Sequence, residues 1–237
     1  MDVRNLKFES RAVPQQFVER LGISDLLWRT DDVGGFGGQS YGPVRDLWDS
    51  ADSILSNCPQ RGIAIQAGGN CGLYARWYSN YFDRVFTFEP TALNFVALAC
   101  NSIAAPRQNI FCFNAGLGDS DGFAACHDST EDNCGADRYT PTTNPFLQSL
   151  LTEEKMPSMP LMRLDDVAMN WGNVDIIHLD IEGMEEFAIR GAAKLIARDH
   201  PVVILEQPNS NVSKMMSESR YVKVDQIHSD QIFVYKG

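Results

Sequence analysis

Apolar residues along this 237-residue chain gather in short runs, separated by stretches of helical spacing. Ile63-Ala64-Ile65-Gln66-Ala67, Arg84-Val85-Phe86-Thr87-Phe88, Ile110-Phe111-Cys112-Phe113 and Val174-Asp175-Ile176-Ile177-His178-Leu179-Asp180 read as strands. Pro201-Val202-Val203-Ile204-Leu205 is apolar throughout, the pattern of a strand covered on both faces. Val44, Leu47, Trp48, Ala51, Ile54 and Leu55 fall on one helical face. Leu93, Val96, Ala97 and Cys100 mark a helix over 91–103, and another spans 184–198. Ahead of this core, Pro14 with Phe17, Val18 and Leu21 predicts a short helix, and Ile23 to Trp28 a second. At the far end, Tyr221-Val222-Lys223-Val224, a turn near Ser229-Asp230 and Ile232-Phe233-Val234-Tyr235 predict an antiparallel hairpin closing one sheet edge. The alternation of strand and helix predicts a doubly wound α/β sheet, mostly parallel.

Two stretches stand outside the alternation. Residues 1–43 form an N-terminal extension ahead of a domain over 44–237. Within the extension, Gly34 to Pro43 is a glycine-rich loop with Phe36 and Tyr41. No Gly-Lys-Ser/Thr follows it, so it is not a phosphate-binding loop. A plain linker and a lid with glycine hinges are both open readings. From 119 to 160 periodicity is lost in favour of Asp, Asn, Thr and Pro, and Phe146, Leu150 and Leu151 mark one short helix. An irregular insertion of that length in a compact domain is usually functional.

The chemistry concentrates where the first apolar run ends. Gly68-Gly69-Asn70-Cys71-Gly72 follows it at once, and Leu73-Tyr74-Ala75-Arg76-Trp77 opens a helical pattern. Glycine lets the backbone turn sharply and pass close to a ligand. The second strand ends in Glu89-Pro90, where a carboxylate can accept hydrogen bonds from both hydroxyls of a ribose. The dinucleotide fingerprint fails, because Asn70 and Leu73 stand where two of its three glycines belong. That disfavours NAD and an oxidoreductase. S-adenosylmethionine has a ribose and no phosphate, and it fits the turn and Glu89 better. Gln66, Gly68, Gly69, Asn70, Gly72, Glu89, Pro90, Asn114 and Ala115 are the candidate cofactor-binding residues, together with Asp180.

Composition narrows the partners. A net charge of −11 without a clustered basic patch argues against nucleic acid and against anionic membranes. A hydrophobic content of 44% is enough to fill one α/β core. No opening signal segment and no membrane-spanning run is evident, and the six cysteines lack C-x-x-C spacing. They read as reduced thiols of a cytoplasmic protein. Cys126-His127 with Cys134 matches no zinc spacing, and no resident metal is expected.

The stretches AIQAGGNCGLY, VFTFEPTALNFVAL, FNAGLGD, MRLDDV, IIHLDIEGMEEFAIRGA and VVILE, between residues 63 and 206, resemble the FkbM-type family of S-adenosylmethionine-dependent methyltransferases. The tract LDIEG, with its helix and Gly191-Ala192, is the most specific of them. The resemblance implies a Rossmann-like class I methyltransferase sheet of seven strands with the last one antiparallel. It implies O-methylation of a hydroxyl on a small molecule or sugar, leaving S-adenosylhomocysteine. In the family an Asp usually stands at Gln66, and often a Lys at His178. The lost charge at Gln66 motivates an alternative reading, a cofactor-binding module impaired in catalysis.

Transfer from a sulfonium is an in-line displacement, and a hydroxyl acceptor must also lose a proton. His178, Asp180 and Glu182 are spaced to share one face if the strand stays extended, at the edge where α/β ligands bind. They are the candidate catalytic residues, and Glu206 lies on the neighbouring strand. Each has a plainer role: Asp180 as cofactor ligand or cap, Glu182 as a first-turn acid, His178 as a core histidine. Asp180, Glu182 and Glu206 would suit Mg²⁺ chemically, although none is required by the pattern. Asp165-Asp166 reads first as a helix cap. The acceptor's identity and the oligomeric state are not encoded in any of these patterns.

Overall fold

Strand β3 (Ile63–Ala67) is buried along its whole length, so both faces of the sheet around it must be covered. The computed structural model describes residues 8–13, 15, 18, 24–32, 51–128, 138–142 and 158–237. In it β3 pairs in parallel with β4 (Arg84–Phe88) and β10 (Val174–Leu179). β5 (Ile110–Phe113) adds to β4, and β11 (Val202–Glu206) adds to β10. β13 (Asp230–Tyr235) joins β11 antiparallel, and β12 (Tyr221–Ile227) closes the edge. The order is β12-β13-β11-β10-β3-β4-β5, and β13 alone runs against the other six.

Alternate residues of these strands feed two cores. Ala64, Val85, Ile176 and Ile204 pack with α1 (51–57), α2 (Leu73–Ser79) and α3 (Ala92–Ile103). Ile65, Phe86, Ile177 and Leu205 pack with α4 (Leu164–Val167), α5 (Glu185–Gly191), α6 (Ala193–Asp199) and α7 (Ser210–Glu218). Partly buried carboxylates fasten the strands at the amino edge. Asp175 accepts from the amides of Gly62 and Ile63 at 2.7 and 3.0 Å, and Asp199 accepts from Val174 N at 2.9 Å.

The structure departs from the sequence reading in four places. Where it is described, from Ser24 on, the segment expected as a helix over Ile23 to Trp28 is extended: β2 (Asp25–Arg29) pairs antiparallel with β1 (Phe8–Ala12), and its burial alternates with Leu26 and Trp28 inside. Asn101 of α3 holds β2 through both the amide and the carbonyl of Leu27, which gives the strand a partner that local spacing cannot announce. The helix expected over 184–198 breaks at Ala192 (φ −111°) into α5 and α6. Asp165 accepts from Lys194 N and Leu195 N, so it caps α6 rather than its own helix. The insertion is not irregular where it is described. β6 (Gly116–Leu117), β7 (Gly122–Asp128), β8 (Arg138–Thr142) and β9 (Ser158–Met162) form a second sheet in the order β6-β9-β7-β8. Among the described residues its buried side gathers Ala124, Met159 and Leu161, and its strands are joined by long polar stretches that hide them in sequence. Finally, α7 was not anticipated, although Asn209 caps it through Val212 N at 3.0 Å. The loop Gly34 to Pro43, the helix positions Val44 to Trp48, and Phe146, Leu150 and Leu151 lie outside the described residues. No described helix is long and apolar enough to cross a membrane.

The break after Gly191 tests the packing. Helix propensity favours alanine over glycine by about 1 kcal/mol. Here a Cβ at 191 would lie 1.9 Å from the carbonyl oxygen of Gly118. Gly191→Ala is therefore expected to lower the unfolding free energy by about 2–4 kcal/mol. Urea denaturation measures this, and a stabilised variant would contradict the close approach.

Candidate active site

β3 ends at Ala67, and the chain turns through Gly68–Gly72 into α2. Gly68, Asn70 and Gly72 take left-handed φ values of 81°, 44° and 91°. The turn is wedged between its neighbours. A Cβ on Gly68 would lie 1.8 Å from the Asp180 carbonyl oxygen, and one on Gly69 would lie 2.9 Å from Thr87 Oγ1. The amides of Gly68 and Gly69 both donate to Phe88 O, at 3.1 and 2.9 Å. Asp180 N donates to Ala67 O at 3.1 Å. The carboxyl ends of β4, β3 and β10 are thus fastened side by side.

Glu89, 4% exposed, ties this turn to the next helix. Its Oε2 accepts from Asn70 N at 2.7 Å and its Oε1 from Thr91 N at 2.8 Å. Asn114 Nδ2 donates to the carbonyls of Glu89 and Pro90, at 2.8 and 3.1 Å, and Ala115 beside it is buried. Gln66 is fully buried and turned into the fold. Its Nε2 donates to Ala67 O and Gly68 O, and its Oε1 accepts from Thr87 Oγ1 at 2.6 Å. Both amide hydrogens are used, so one acceptor position on Oε1 is what the side chain has left to offer.

On the other side of the turn the site is acidic. Oxygens of Asp180, Glu182 and Glu206 lie within 4.8 Å of one another. The sequence expected strand alternation to align Asp180 with Glu182. Instead β10 ends at Leu179, and a turn with Glu182 in the left-handed region (φ 52°) brings the two together. Burial raises the Asp180 carboxyl well above the usual carboxylate range. A hydrogen bond shared with Glu206 and the charges of Glu206, Asp230 and Glu182 push the same way. Asp230 escaped the sequence reading. β13 is antiparallel, so its first residue lies opposite Glu206, at the edge where the parallel strands end.

His178 sits under this cluster with no solvent exposure. Burial lowers its pKa to about 3, so the ring is neutral. Nδ1 meets the Tyr78 hydroxyl at 3.0 Å, Nε2 faces Asp230 Oδ2 at 3.8 Å, and the Tyr74 ring packs edge-on at 4.9 Å. That is the environment of a core histidine. Burial, together with Asp180 and Asp230, holds the Tyr74 phenol protonated. The structure thus gathers the candidate residues along one edge, with Gln66 and His178 a layer deeper than the rest. A separate cavity of about 420 Å³, lined by Cys58, Asp175, His200 and Tyr235 among others, opens at the amino edge, away from these groups.

A seven-stranded sheet in this order, a glycine turn after its first parallel strand and an acid after the second define a Rossmann-like methyltransferase fold of class I. The methyltransferase FkbM domain matches residues 66–233, and the chain belongs to that family. Methyltransferase FkbM from Methylobacillus flagellatus KT is similar with a TM-score of 0.50 and 15% identity, over 74% of this chain. This chain spans 44% of that protein's length. Ribosomal protein L11 methylase from Lactobacillus delbrueckii subsp. bulgaricus gives 0.48 and 10% identity, over 84% of this chain and 81% of its own. Magnesium protoporphyrin IX methyltransferase from Synechocystis PCC 6803, solved with bound SAM, gives 0.46 and 10%, over 86% and 89%. At these identities the likeness is one of fold. No curated protein sequence matches.

Glu89 holds two backbone donors through a charge, a bond type worth about 1.5–3 kcal/mol. Glu89→Ala should therefore lower stability by a few kcal/mol, and Glu89→Gln, which keeps one acceptor oxygen, by less. Chemical denaturation ranks the two, and equal stability of all three proteins would mean that the carboxylate does not tether the turn.

Proposed function

We propose that the protein is an S-adenosylmethionine-dependent methyltransferase that acts on a hydroxyl oxygen of a small molecule or sugar. The observation that carries this reading is the shared edge. A carboxylate at the end of β4 and a cluster of acids at the ends of β10 and β11 flank one glycine turn. The donor set fits the cofactor: acids suit a sulfonium and an ammonium, and Glu89 suits the ribose hydroxyls. When bound, S-adenosylmethionine supplies a methyl carbon that bonds to the acceptor oxygen as its bond to sulfur breaks.

The chain's own residues do the rest. Gly68 to Gly72, with Asn114 and Ala115, shape the floor. Asp180 stands where the acceptor hydroxyl would approach and takes its proton. Its raised pKa makes it a stronger base than an ordinary carboxylate. Glu182 is the next candidate for that proton. His178 is held neutral and buried, and it positions rather than titrates. A net charge of −11 and acids at the site favour a neutral or cationic acceptor over a nucleic acid. Cys58, Cys71, Cys100 and Cys112 are free thiols, in keeping with a cytoplasmic setting. A second reading, a binding module impaired in catalysis, is favoured by Gln66, whose amide is fully engaged inside the fold.

Two measurements test these readings. S-adenosylhomocysteine should raise the melting temperature and NAD should not, and Glu89→Ala should weaken S-adenosylhomocysteine binding by about 1.5–3 kcal/mol in calorimetry. Unchanged affinity in a folded Glu89→Ala protein would remove the ribose assignment. With an acceptor that takes label from methyl-labelled S-adenosylmethionine, Asp180→Asn should cut turnover about 10²–10⁴-fold. If affinity collapses instead and turnover at saturation survives, Asp180 is a cofactor ligand. Binding without any transfer would favour the impaired module.

A further inference from the structure

The reading above uses one carboxylate of the acidic edge as a base and leaves the others without a task. Asp180, Glu182 and Glu206 come from three places: just past the end of β10, the turn beyond it and the end of β11. Their oxygens nevertheless converge within 4.8 Å. Opposite oxygens lie about 4.8 Å apart around Ca²⁺ and about 4.1 Å apart around Mg²⁺, so one ion could join all three with side-chain shifts of under about 1 Å. Glu182 reaches the cluster from a left-handed backbone conformation, which is unfavourable for a residue other than glycine. The charges acting on Asp180 are those of Glu206, Asp230 and Glu182, all negative.

A second observation is independent of the acids. His178 Nε2 makes no hydrogen bond, although the side chain is only 1% exposed. Tyr78 occupies Nδ1, and Nε2 points at Asp230, which lies opposite Glu206 in the β11–β13 register. Buried polar atoms almost always find a partner. A buried ring nitrogen aimed at the Asp230 carboxylate beside Glu206, yet with no hydrogen bond of its own, is a polar atom left unsatisfied next to the acidic cluster.

We propose that Asp180, Glu182 and Glu206 bind one divalent cation of the hard, oxygen-preferring class, Mg²⁺ first, backed by Asp230 and His178. An all-oxygen set selects Mg²⁺, Mn²⁺ or Ca²⁺ over thiophilic ions. Three carboxylates leave about three positions of an octahedral ion for water or for acceptor oxygens. The acceptor class this favours carries two adjacent oxygens, such as a diol or a hydroxy acid. That last step rests on the methyltransferase reading, whereas the ion site does not.

Mn²⁺ is the probe. Titrated into the whole protein, its electron paramagnetic resonance signal should fall with a dissociation constant of about a millimolar or tighter, and Mg²⁺ should restore it. Glu206→Gln and Glu182→Gln should each weaken binding about tenfold or more, and His178→Asn about tenfold through the backing layer. The partly buried Glu182 and Glu206 make the double variant Glu182→Gln/Glu206→Gln the safer one to fold, and circular dichroism verifies it. An undiminished Mn²⁺ signal, or binding retained in the folded double variant, overturns the site. Melting with S-adenosylhomocysteine in the same samples separates the two readings. A cofactor shift without Mn²⁺ binding overturns the ion alone. Mn²⁺ binding without a cofactor shift supports the ion and overturns methyl transfer.

Discussion

The close approach of the turn after β3 to the backbone of Asp180 is the constraint on which the rest of the site depends. There is no room for a Cβ at Gly68, and the Asp180 amide is bonded to Ala67 O. Two strand ends are therefore held at one height, and their side chains inherit fixed neighbours: Gln66 beside His178, and Asp180 beside Glu206 on the next strand. Carboxyl groups so close repel whenever both ionise. The parallel ladder that keeps them there is held by apolar burial. Val174, Ile176, Ile177, Val203, Ile204 and Leu205 are all buried. The burial of the sheet therefore works against the repulsion of the acids at its edge.

What is legible in the sequence follows from how each residue is constrained. Strands buried on both faces, such as β3 and β11, leave apolar runs that announce them. The glycine turn is visible because left-handed backbone and crowding both demand glycine at 68 and 72. β2 is not, since Leu26-Leu27-Trp28 is too short a run to show a period, and its fate is decided by β1 and by Asn101 far along the chain. The role of Asp165 is hidden for the same reason, because it caps a helix that begins 28 residues later at Ala193. The second sheet is hidden because its strands are spread among stretches of Asp, Asn, Thr and Pro between 119 and 160.

The candidate residues are visible in the sequence where chemistry and local pattern coincide, and hidden where only register brings a side chain to the same edge. Glu89, Asp180 and Glu182 follow strands, as ligand-binding acids of α/β sheets do. Glu182 reaches Asp180 by a different route than expected, through a turn rather than by alternation. Asp230 looks in sequence like an ordinary turn aspartate, for which hairpin geometry is explanation enough. Only its pairing opposite Glu206 makes it part of the site. Gln66 shows the reverse case: it stands at a motif position, yet its hydrogen bonds point inward.

The reversal of β13 also has a temporal side. Because that strand runs backwards, the residue that completes the acidic edge is made more than 160 positions after Gln66. A nascent chain emerges at about 5–20 residues per second, so the glycine turn and β10 spend several seconds outside the ribosome before the closing hairpin follows. During that interval the free flank of β11 is an open strand edge, a template for pairing with other chains. Assembly of the acidic edge and removal of that hazard are a single event, the docking of the β12–β13 hairpin.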